Sequence, residues 1–146
     1  MGDAGATMAA TLLKWCGELA ADDATTAGIA RSIGEPVDGS SPTQLRVTPS
    51  DGAWSQAEIV SAPGDDEPSF VRLTPADPNA LSVEALESAV GPPTTLPPKV
   101  HFYDPVSRIY QIDSGSPGHT AAVIAELPPE GGDHVAAVVL RRDIRL

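Results

Sequence analysis

An antiparallel α+β fold, with N-terminal helices ahead of a sheet, is predicted by three observations. Apolar residues recur every three to four positions near the start of the chain and again before Gly91. Short alternating runs separated by turn-forming residues fill 44–74 and 99–141. No helix-like stretch follows Gly91, and a doubly wound sheet would need helices between its strands.

Met8, Leu12, Leu13, Cys16 and Leu19 form one apolar stripe, with Lys14 and Glu18 off it, so a helix is expected over Thr7 to Ala21. Asp22 or Asp23 is expected to cap a second helix, because a carboxylate accepts the free N–H groups of a first turn. Ile29 and Ile33 stack on one side of it, and Gly34 is placed to end it in a left-handed conformation. Strands are expected at Gln44–Thr48, Trp54–Ser61 and Ser69–Thr74, the first two joined by Pro49-Ser50-Asp51-Gly52. Asp51-Gly52 supplies residues that tolerate positive φ there.

The clearest local signal lies further on. Ser82 is the expected N-cap, Leu81 and Leu86 hold the hydrophobic-staple positions, and Gly91 with two prolines stops the helix. Strands are then expected at Lys99–Tyr103, Arg108–Ile112, His119–Leu127 and His134–Arg141, the last two joined through Gly131-Gly132.

The chain also carries a faint internal recurrence. Ile33-Gly34-Glu35-Pro36 and Val90-Gly91-Pro92-Pro93 each close a helix, and strand-like runs follow both. Ala57-Glu58-Ile59 corresponds to Ala125-Glu126-Leu127, and Val71-Arg72-Leu73 to Val138-Val139-Leu140. One domain over 1–146 is expected, with the recurrence suggesting repeats at 7–77 and 78–146 around a shared core. The second unit is longer, and its excess falls in Asp104 to Gly118, as a strand or a protruding loop.

Only 4% of residues are aromatic against 41% hydrophobic, so Ala, Val and Leu must fill the interior. The 13 glycines and 15 prolines sit between periodic segments and read as turn punctuation. The net charge is −11, with 14 acids and 4 bases over 1–98 against 6 acids and 5 bases over 99–146. Such acidity repels phosphate backbones and anionic membranes, so neither nucleic acid nor membrane is an expected partner. With one cysteine, Cys16, no intrachain disulfide and no thiol zinc cluster can form. Met1 to Ala10 lacks a signal-peptide pattern, and no apolar run reaches a membrane span, so a cytoplasmic protein is expected. Seven arginines against two lysines, with abundant Ala, Pro and Gly, fit a GC-rich bacterial genome.

No motif carries an obvious chemistry. His101, His119 and His134 could bind zinc if the sheet gathered them, but their spacing carries no ligand signature, and solvated strand-end histidines are the simpler reading. Ser114-Gly115-Ser116-Pro117-Gly118 is the nearest run to a nucleophile elbow, yet a strand follows it where the elbow needs a helix. Cys16 lies on the apolar stripe and reads as a small core residue. Asp65, Asp66 and Glu67 are consecutive, so their side chains diverge and form a loop tip or an acidic docking site. Trp54 follows a turn in a strand whose inward set is better filled by Ala57, Ile59 or Val60, so Trp54 and Tyr103 are candidate partner contacts, although a core position is the simpler reading for Trp54. Arg141, Arg142 and Arg145 read as a charged edge strand.

Leu86-x-x-x-Val90-Gly91-Pro92-Pro93, with later strands closing on Val138-Val139-Leu140, resembles the helix-then-sheet modules of the outer-membrane lipoprotein assembly family (the SmpA/OmlA type). The β-lactamase inhibitory proteins carry such modules in tandem. The resemblance covers 81–140, and it implies a sheet offering a concave or edge surface to another protein. A lipobox cysteine and the inhibitors' disulfides are absent from this sequence. The leading expectation is a non-enzymatic acidic protein-binding module (an inhibitor, immunity-type protein or accessory subunit) without cofactors, whose partner is basic. Trp54, Asp65, Asp66, Glu67 and Tyr103 are its candidate contacts. Self-association through an edge near Val135 to Leu140 is the alternative, and a small hydrolase or metal enzyme using the histidines the third.

Overall fold

The computed structural model describes residues 4–37, 44–61, 67–93, 107–113, 115–128 and 133–144. Two helices, α1 (Ala4–Leu19) and α2 (Thr26–Ile33), precede the strands β1 (Gly34–Pro36), β2 (Gln44–Pro49), β3 (Trp54–Ser61) and β4 (Pro68–Pro75). A third helix, α3 (Val83–Val90), precedes β5 (Ser107–Ile112), β6 (His119–Glu126) and β7 (Ala137–Ile144). The strands form one antiparallel sheet in the order β1-β2-β3-β4-β7-β6-β5. The α+β class and its antiparallel sheet are therefore as the patterning predicts. No described helix is long and apolar enough to cross a membrane.

The strands present two faces because successive side chains alternate. One face runs Leu45, Ile59, Val71, Leu140, Val123, Tyr110 across the sheet, with Val47, Ala57, Leu73, Val138 and Ala125 in the next row. All but Leu45 are buried, and they share one core with Met8, Leu12, Trp15, Cys16 and Leu19 of α1 and with Ile29 and Ile33 of α2. The helices cover this face, α1 over β6 and β7 and α2 over β1, β2 and β3, with α3 against α1.

The caps explain the helix limits. Thr25, not Asp22 or Asp23, caps α2, its hydroxyl accepting from the Gly28 N–H at 3.1 Å. Ser82 caps α3, its hydroxyl accepting from the Ala85 N–H, and the staple residues Leu81 and Leu86 are both buried. Gly91 ends α3 at φ 89°, the left-handed region glycine enters without a Cβ penalty. Gly34 differs from expectation. Its φ of 171° is extended backbone, and glycine is needed because a Cβ there would overlap the Thr48 carbonyl of β2. The β2–β3 turn also closes without a positive φ, through the Asp51 carboxylate accepting from the Ala53 N–H.

Three further expectations are corrected. His134 pairs only as an isolated bridge with Ser82, so the last strand begins at Ala137. That strand lies between β4 and β6, so 135–140 is no edge, and self-association through an edge there has no free backbone to use. For the same reason Arg141 and Arg142 do not line a charged edge. In β7, Val138-Val139-Leu140 pairs directly with Leu73-Arg72-Val71 of β4 at the sheet centre. If Val71 corresponds to Val138, their partners on the neighbouring strands, Ile59 and Ala125, correspond as well, which departs from the expected match of Ala57 with Ala125. The expected strand at Lys99–Tyr103 lies outside the described residues, as do 104–106 and 114; the rest of Asp104 to Gly118 is described and holds the strand β5.

Cys16 is fully buried on α1, and burial pushes its thiol up to about 12. Almost no thiolate exists near neutral pH, so the residue is inert. We expect a thiol reagent to leave the native protein unlabelled and to modify Cys16 once denaturant unfolds it. Rapid labelling of the native protein would contradict this packing.

Candidate functional site

Two features stand out once the inward face is assigned: the opposite face of the sheet, and a charged cluster where α1 meets the ends of β4, β6 and β7.

The opposite face has no described helix over it. Its central rows run Arg46, Glu58, Arg72, Val139, Ile124, Ile109 and, one step along, Gln44, Val60, Phe70, Arg141, Ala122, Gln111. Val60, Phe70, Ile109, Ile124 and Val139 are partly buried and make an apolar band across five strands. Charged pairs flank the band. Arg72 meets Glu126 through two bonds, at 2.7 and 3.1 Å, and Arg141 meets Asp143 at 2.7 and 3.2 Å. Glu58 accepts from the Gln44 amide at 2.9 Å. Toward β2, a groove of about 300 Å³ is lined by Arg46, Thr48, Gln56, Glu58, Arg72 and Thr74.

The charged cluster is built from four segments. Arg142 of β7 has a side chain only 4% exposed and donates to the carbonyls of Leu19, Ala21 and Asp22, just where α1 ends. A cation placed there meets carbonyls that have no partner within the helix. Arg142 also pairs with Glu67, which leads into β4. His119 sits between acids, with Nδ1 2.8 Å from the Asp22 carboxylate and Nε2 3.6 Å from that of Glu67. The Gly118 N–H donates to the same Asp22 oxygen at 3.1 Å. The hydrogen bond from His119 holds the Asp22 carboxyl below the usual range, outweighing desolvation, with help from Gly118 and the Arg142 charge.

A carboxyl lowered in this way stabilises the fold above its ordinary pKa, and that contribution is lost as pH falls through the folded value. We expect Asp22→Asn to lower the urea midpoint at neutral pH and to flatten its decline under acid. An unchanged acid limb would show that the cluster does not act this way.

A second polar link joins α3 to the sheet. The Glu87 carboxylate accepts from the Tyr110 hydroxyl at 2.8 Å and from Arg108 at 2.9 Å. Burial, with the Glu87 charge, pushes the Tyr110 hydroxyl well above its usual range, so it stays a neutral donor.

The predicted contacts are scattered. Trp54 is 2% exposed, with its ring 6.1 Å from that of Trp15, so it belongs to the core and offers no contact surface. Glu67 is turned toward Arg142 and His119 inside the cluster, and Asp65, Asp66 and Tyr103 lie outside the described residues. The histidines are not gathered. His119 and His134 fall at opposite ends of the β6–β7 pairing, His134 beside Asp133 at 2.9 Å, and His101 is outside the described residues. Among the described residues no group of three His, Cys, Asp or Glu side chains is placed to hold a metal.

Comparison with protein-family models, curated proteins and solved structures found no match. The sheet face that no described helix covers is therefore read from its own chemistry. Sequence reasoning missed it, although every second residue of the strands from Gln44 to Arg141 belongs to it. The available signal was the number of apolar residues, Val60, Phe70, Ile109, Ile124 and Val139, at the outward positions.

Proposed function

We propose that this chain is a non-enzymatic protein-binding module whose contact surface is the sheet face that no described helix covers. One observation carries the reading: an apolar band five strands wide, bordered by charged pairs, on a face that no described helix covers. This is the anatomy of protein interfaces, in which an apolar centre supplies affinity and a polar rim supplies specificity. The groove beside Arg46 and Arg72 would receive a polar side chain of the partner. The charged cluster supports the same reading from the other side. Arg142, Asp22, His119 and Glu67 serve one another and the end of α1, which is a structural use of groups that an enzyme would turn toward a substrate.

The test is capture by the immobilised protein from lysate of the source cells. A stoichiometric partner is expected on the wild type and absent from Ile124→Lys, with Asp22→Asn retaining it. Equal capture by a folded Ile124→Lys variant would sink the assignment of the face.

A further inference from the structure

We infer that the occupant of the outward sheet face, over which no described helix lies, is a second copy of this chain, an inference that rests on the reading of that face as a contact surface. Charge is the first argument. The chain as a whole holds 9 basic and 20 acidic residues. On this face Arg46, Arg72 and Arg141 stand against Glu35, Glu58, Glu126 and Asp143, so it is almost balanced. Two copies at −11 repel one another through most of their surface, and least through this face. A basic partner, by contrast, would find little net negative charge here to attract it.

Size is the second. Six strands spaced about 4.8 Å apart and about 23 Å long present roughly 650 Å² of sheet per copy. Two such faces amount to about 1,300 Å², inside the range of specific protein interfaces. The strands of the two sheets would lie about 10 Å apart and roughly 30° from parallel, with Val139 and Ile124 near the centre.

Sedimentation equilibrium over a wide range of protein concentration tests this. The wild type is expected to sediment with the mass of two chains. Val139→Glu, at the centre of the band, is expected to raise the dimer Kd by on the order of a hundredfold. Arg72→Glu, whose side chain is 46% exposed, is the second variant should Val139→Glu fail to fold, and it too is expected to yield folded single chains. A wild type that stays a single chain at every concentration overturns the inference, as does a dimer whose mass neither folded variant changes. Failure of the second copy and failure of the face are distinguishable. A monomeric wild type whose capture of a different protein is lost in Arg72→Glu keeps the face and removes the dimer.

Discussion

Trp54→Ala is expected to cost about 4 kcal/mol of stability, the range for removing a large aromatic ring from a core. The indole is 2% exposed and lies against Trp15 of α1 at an interplanar angle of 53°, so the two rings join the start of β3 to the helix layer. Its N–H has no hydrogen-bond partner among the described residues, so the ring is held by packing alone. Urea unfolding monitored by the far-UV signal reads the cost as a lower midpoint at unchanged slope. A variant as stable as the wild type would mean that Trp54 is a surface residue and that the core is wrongly assigned.

Arg142→Ala is expected to cost about 3 kcal/mol, the upper end of the range for losing hydrogen bonds made by a charged group. Three carbonyls at the end of α1 lose their donor, and Glu67 loses its cation while Asp22 keeps only His119 and Gly118. Arg142→Lys should recover only part of this, because one ammonium cannot span acceptors that the guanidinium reaches from separate nitrogens. Hydrogen exchange supplies a local readout: amides in the last turn of α1 should open first in the variant. Full recovery by lysine would show that charge alone, and not the fork of donors, holds the helix end.

The sequence signals that succeeded were local ones. Ser82, Leu81, Leu86 and Gly91 encode the limits of α3 through caps and a staple, all within eleven positions, and the structure follows them. Trp54 as a partner contact failed for a definable reason, while the core reading agrees with its burial. Strict alternation places it with Gln56, Glu58 and Val60 on the outer face, but an irregularity in the β3–β4 register between Trp54 and Gln56 turns it inward beside Ala57 and Ile59. A bulge adds one residue and inverts the parity, which no pattern count reveals. Gly34 failed similarly, since its requirement comes from Thr48, a residue on another strand.

The charged cluster was not legible because its members are far apart in the chain. His119 and Asp22 are 97 positions apart, and Arg142 reaches Leu19 across 123. Arg142 reads as one of three arginines near the end, and only the central place of β7 turns it toward α1. The outward sheet face lay between these cases. Its outward apolar residues are visible in the strands, but that no described helix covers them depends on all three helices sharing the other side.

Methyl NMR spectra recorded as the protein is diluted would test the use of that face most directly. Signals of Ile109, Ile124 and Val139 should shift or broaden with concentration, while those of Leu12, Ile33 and Leu86 in the helix layer stay fixed. The same signals should respond to any protein recovered by capture. Perturbations confined to the helix layer or to the Asp22–His119 cluster, with the outward methyls unmoved, would contradict the face as the site of association.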